Sequence, residues 1–110
     1  MRLGPEQRLA VYGTLAPGKS NHHQLADLEG DWRAGSVHGR LYPCGANVGL
    51  VLDEKAPSVS VEVFTSPDLP AHWRRLDDFE GAEYFRAKAA VECGGETVEA
   101  YIYVIDEPEG

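Results

Sequence analysis

The last third of the chain carries the feature that most restricts its fold. YFRAKAAVEC and ETVEAYIYVI flank Gly94-Gly95, a dipeptide suited to a tight two-residue β-hairpin. Setting Cys93 opposite Glu96 pairs Val91 with Val98, Ala89 with Ala100, Ala87 with Ile102 and Phe85 with Val104. All four pairs are apolar and share one face. The other face then pairs Lys88 with Tyr101 and Arg86 with Tyr103. Side chains alternate along a strand, so a one-residue slip would scatter both sets.

Upstream, more strands are expected. RLAVYGT, residues 8 to 14, is rich in β-branched and aromatic residues. Residues 32 to 42 alternate imperfectly around Gly35 and Gly39, as one long bent strand or two with a bulge, stopped by Pro43. Residues 47 to 52 and 58 to 64 follow, the latter with Val59, Val61 and Val63 on one face. Two short helices are predicted. Asn21 to Leu28 has Ser20 or Asn21 as its cap and Gln24 completing a capping box. The second starts at Ser66-Pro67, puts Leu69, Trp73 and Leu76 on one face, runs to about Phe79 and stops at Gly81. Strands dominate and no regular βαβ alternation is present. The expected fold is one α+β domain over residues 1 to 110, a small, mixed, strongly curved β-sheet or barrel with two short helices.

The chain has 110 residues and a net charge of -8. Residues 77 to 110 hold ten acidic side chains against Arg86 and Lys88. Such a field repels phosphate backbones, which argues against nucleic acid as a partner. No apolar run approaches the roughly 18 residues of a membrane helix, and MRLGPEQRL lacks an apolar signal region. The expected place is the cytoplasm, with Cys44 and Cys93 as reduced thiols.

Two stretches invite chemistry. In VYGTLAPGKSN a strand gives way to a glycine-containing loop whose successive N–H groups could cradle an anion. Gly13, Gly18, Lys19 and Ser20 also fit the letters of a nucleotide-binding phosphate loop. That motif needs a parallel α/β frame and a magnesium-binding carboxylate, and the antiparallel signals here argue against it. In LDDFEG, Asp77, Asp78 and Glu80 crowd the C-terminal end of a predicted helix, where its dipole disfavours negative charge. That field, with burial beside Phe79 or Trp73, would raise a carboxyl pKa toward the range of a general base at neutral pH. The plainer reading is three solvated acids on a surface turn. No metal is expected. His22 and His23 are adjacent and cannot readily share an ion on a helix, and His38 and His72 stand alone. No serine elbow exists, and nothing near Cys44 supplies a base.

Taken together, VYGTLAPGKSNHH and LDDFEGAEYFR resemble the signature pair of the γ-glutamylcyclotransferase-like family, which includes the γ-glutamylamine cyclotransferases. Val37 to Pro43 and Ala100 to Tyr103 resemble two further family segments. The resemblance implies a small barrel-like α+β fold. It implies that the backbone of Tyr12, Gly13, Thr14 and Leu15 binds the α-carboxylate of a γ-glutamyl group. Glu80 falls on the catalytic glutamate, and Tyr84 and Arg86 on supporting positions. The implied reaction is cyclisation of a γ-glutamyl amine or related γ-glutamyl compound to 5-oxoproline, without metal, cofactor or covalent intermediate. Asp77 and Asp78 are assigned helix-end and structural roles. The chain departs from the family at Val61, where a glycine is usual; this narrows the expected cavity wall. The alternative is a non-catalytic binding module of the same fold for a carboxylate-bearing metabolite.

Overall fold

The computed structural model describes residues 4–12, 25, 28–44 and 47–106. Six strands are present: β1 (Arg8–Val11), β2 (Asp31–Cys44), β3 (Asn47–Leu52), β4 (Ser58–Thr65), β5 (Phe85–Cys93) and β6 (Glu96–Val104). One helix, α1 (Trp73–Glu80), joins β4 to β5, and 3-10 turns occupy Pro5–Gln7 and Leu69–Ala71.

The β5–β6 hairpin has the register that its side-chain pattern predicts, with Phe85 opposite Val104, Val91 opposite Val98 and Cys93 opposite Glu96. Gly94 and Gly95 turn the chain at φ 57° and 86°, a left-handed conformation that glycine adopts without steric penalty. The other pairings close a ring. β4 runs antiparallel to both β1 and β2. β1 runs parallel to β6, with Leu9 opposite Tyr101 and Ala10 opposite Ile102. A single pairing, Ser36 with Glu92, joins β2 to β5. The result is a closed five-stranded barrel, β1-β4-β2-β5-β6, with β3 paired to the far half of β2 outside the ring.

Both faces of several strands are apolar because both are covered. Ala10, Val61, Val63, Val91, Ala100 and Ile102 fill the barrel. On the outer side, Leu9, Phe64 and Tyr103 pack against Leu69, Trp73 and Leu76 from the α1 segment. The three apolar positions proposed for one helical face, Leu69, Trp73 and Leu76, are all buried. At the β2–β5 seam, a Cβ on Gly35 would stand 2.9 Å from Cys93 Sγ and from Glu92 O, so only glycine lets the strands approach this closely.

The structure changes several boundaries. α1 begins at Trp73, not at Ser66-Pro67. Pro70 explains the delay: it has no N–H to donate to the carbonyl four residues back, and the segment around it forms the short 3-10 turn Leu69–Ala71 instead. The Ser66 hydroxyl instead accepts a bond from Asp68 N at 3.1 Å, in a local turn. Pro43 does not stop β2; it lies within the strand, opposite Val48. β1 stops at Val11, short of the predicted Thr14. The helix expected over 21–28 lies outside the described residues except at Leu25, which is buried, and Leu28, which packs beside it. No described helix is long and apolar enough to cross a membrane.

Candidate functional site

Tyr12 follows β1 directly, at one end of the barrel. Its hydroxyl donates to Tyr103 O at 2.7 Å and accepts from Leu50 N at 3.0 Å. The side chain thereby ties together the start of the first loop, the end of β6 and the middle of β3. Gly13, Thr14 and Leu15 lie outside the described residues.

Tyr103 faces the other way with its side chain. It is 3% exposed, and its hydroxyl donates to Asp77 Oδ1 at 2.6 Å. Arg86 completes the contact from β5, with Nε 3.1 Å from Asp77 Oδ1 and Nη2 3.3 Å from Oδ2. This is the two-pronged geometry that guanidinium and carboxylate groups favour. The guanidinium also lies between two rings, 4.5 Å from the Trp73 centroid and 4.7 Å from that of Tyr101. Burial, together with the bond to Asp77, pushes the Tyr103 hydroxyl far above its ordinary range, so it remains a donor at any working pH.

Glu80 is the last residue of α1, and Gly81 ends the helix at φ 87° with its N–H on Asp77 O. The Glu80 carboxyl is half-buried and close enough to Tyr103 to influence its titration. Burial raises the Glu80 pKa from 4.5 to about 7. Desolvation disfavours the charged form and is the cause here. Phe79, one of the two expected covers, is exposed. The reading of three solvated acids is therefore wrong for Glu80: at neutral pH it can accept or give up a proton.

Asp77, Glu80 and Arg86 gather around the Tyr103 side chain on the outer side, whereas Tyr12 packs on the barrel-interior side and touches Tyr103 only at its backbone carbonyl. Tyr84 packs against the same outer cluster as Tyr103, and its hydroxyl donates to Val48 O at 2.8 Å, fastening the turn after α1 to β3. Tyr103 ends the Ala100 to Tyr103 segment that resembles the family, but the motifs assign it no role in the site. A second signal is its place opposite Arg86 in the hairpin register. Val61 fills the barrel interior opposite Gly35, so its bulk lies across from the smallest residue available. Among the described residues, no group of His, Cys, Asp and Glu could hold a metal ion. Cys93 is a buried free thiol.

The comparisons with known proteins agree with this fold. The chain resembles an AIG2-like protein of Mus musculus with a TM-score of 0.76 and 26% identity, over 94% of this chain and 79% of that one. It resembles YkqA of Bacillus subtilis with a TM-score of 0.74 and 28% identity, over 91% of this chain but 36% of that one. The fold also recurs in Kluyveromyces lactis allophanate hydrolase, with a TM-score of 0.66 and 21% identity, over 91% of this chain and 17% of that one. No curated protein matches the chain. The family model "Gamma-glutamyl cyclotransferase, AIG2-like" matches residues 9–110, and the chain belongs to that family.

Proposed function

We propose that this protein is a cytoplasmic enzyme that cyclises a γ-glutamyl amine or a related γ-glutamyl compound to 5-oxoproline and releases the amine, with Glu80 as general acid and base. The observation that carries the proposal is the half-buried Glu80 carboxyl, whose pKa of about 7 suits it to both halves of the proton transfer. The substrate's α-ammonium gives its proton to Glu80. The freed amine attacks the γ-carbonyl carbon, a C–N bond closes the five-membered ring, and the γ-amide C–N bond breaks. Glu80 returns the proton to the leaving nitrogen, and the ring nitrogen loses its second proton, which the released amine takes up as it becomes an ammonium, so no water or co-reactant is consumed. Because nucleophile and electrophile belong to one molecule, holding it folded supplies much of the rate. The first loop, at Gly13, Thr14 and Leu15, would bind the α-carboxylate through backbone N–H groups, starting from the anchored Tyr12. The buried thiol of Cys93 suits a reducing compartment.

The test is incubation with a panel of γ-glutamyl amines and γ-glutamyl dipeptides, following 5-oxoproline. For the best substrate, kcat/KM should rise with pH through about 7 as Glu80 loses its proton. Glu80→Gln should lower kcat by about 100-fold or more while the fold is retained. Turnover by Glu80→Gln at the wild-type rate would refute the mechanism. If no panel member turns over, the reading as a binding module for a carboxylate-bearing metabolite gains.

A further inference from the structure

α1 has eight residues and no side-chain bond capping its N-terminus. Its first turn is held by burial of Trp73 and Leu76, and Trp73 Nε1 also donates to Glu6 O at 2.8 Å. The last turn has no such apolar anchor: Asp78 and Phe79 are exposed and Glu80 is half-buried. What ties it down is Asp77, three residues before Glu80 and on the same side of the helix. Its carboxylate accepts three bonds from two strands, two from Arg86 and one from Tyr103. The donors are themselves fixed, Arg86 between the Trp73 and Tyr101 rings and Tyr103 in the outer cluster.

We infer that Asp77 is a positioning residue for Glu80, a clamp that holds the last turn of α1 on β5 and β6 and thereby keeps the Glu80 carboxyl where the substrate amine must meet it. This rests on the proposed role of Glu80. A carboxylate is needed because two donors converge on Oδ1 while Arg86 also reaches Oδ2. Asp77 from α1 and Arg86 from β5, paired with each other, and Glu80 all act on the Tyr103 hydroxyl from β6, while burial alone raises the Glu80 carboxyl pKa. Releasing the clamp lets Glu80 swing into water.

The test is a 13C NMR titration of the Glu80 carboxyl, assigned by its absence in Glu80→Gln, in the wild type, Asp77→Ala and Tyr103→Phe. In Asp77→Ala the Glu80 midpoint should fall from about 7 toward 4.5. With an active substrate, kcat should fall by about 100-fold, the scale of a misplaced catalytic group, while KM stays within about twofold. A lower melting temperature with the Glu80 midpoint unmoved would overturn the inference, because Asp77 would then serve stability alone. Should Asp77→Ala fail to fold, Tyr103→Phe decides: it removes one hydroxyl, and a smaller shift in the same direction is expected, whereas no shift overturns the inference. Failure to form 5-oxoproline from any substrate counts against the cyclotransferase reading, while the titration still tests the clamp by itself.

Discussion

A carboxyl whose pKa is raised by folding weakens the fold at neutral pH, and Glu80→Gln should expose that cost. In the unfolded chain Glu80 ionises near 4.5, and in the native barrel near 7. Between those values the native state holds a proton that the unfolded state has released. The stabilising contribution is therefore fully present below pH 4.5 and is lost as pH rises through 7. At about 1.36 kcal/mol per pH unit, the displacement corresponds to at most about 3.4 kcal/mol. Water reaching the half-buried carboxyl reduces this to about 2 kcal/mol. Glutamine keeps the shape and never ionises. Glu80→Gln should thus match the wild type within about 0.5 kcal/mol at pH 4.5 and exceed it by about 2 kcal/mol at pH 8. For a chain of this size that is about 8 °C in Tm. Thermal and urea melts followed by circular dichroism, on both proteins at both pH values, provide the comparison. Taking the difference between the two proteins cancels every other titrating group. A difference that does not change from pH 4.5 to pH 8 would refute the claim that the Glu80 carboxyl is desolvated, and with it the basis for its role as a base at neutral pH.

Two further substitutions test how the site is supported. Gly35→Ala places a methyl group 2.9 Å from Cys93 Sγ, Glu92 O and Val91 Cγ1 at the barrel seam; it should cost about 1–3 kcal/mol by urea denaturation, and a neutral result would mean the seam is looser than described. Leu76→Ala empties a fully buried position under α1 and should cost about 2–5 kcal/mol, with faster hydrogen exchange in residues 73–80 than in β5 and β6. Equal acceleration in all three elements would show that α1 does not move as a separate unit.

The hairpin is legible in the sequence because its two faces differ sharply in composition and only one register keeps Val91, Ala89, Ala87 and Phe85 opposite apolar partners. The ring is not. The parallel pairing of β1 with β6 and the single contact of Ser36 with Glu92 leave no trace in local periodicity. The start of α1 is misread because Ser66-Pro67 is a good helix opening taken locally, while Pro70 three residues later overrides it. Glu80 can be picked out as a carboxyl at a helix end, and the motif resemblance points to the same residue. Its actual environment cannot be, since burial there depends on β6 packing behind the helix. Tyr103 escapes for a related reason. In the hairpin alone, its face, shared with Arg86 and Lys88, reads as polar and solvated. Only α1 lying across it turns that face into the ring-lined seat of Arg86 and Asp77.

The bond from Tyr12 to Tyr103 spans 91 residues, and this has a consequence in time. During synthesis, β1 emerges before both of its barrel neighbours, and the second of them, β6, is the last of the described strands to follow. Until Tyr103 arrives, the first loop has no anchor on β6, Asp77 lacks one donor, and the barrel has an open edge. Contacts between such distant segments form late because the intervening chain must be ordered before they are rewarded. The proposed catalytic centre is therefore completed at the end of folding, so the capacity for proton transfer and the closure of the barrel should emerge together when the denatured chain is returned to native conditions.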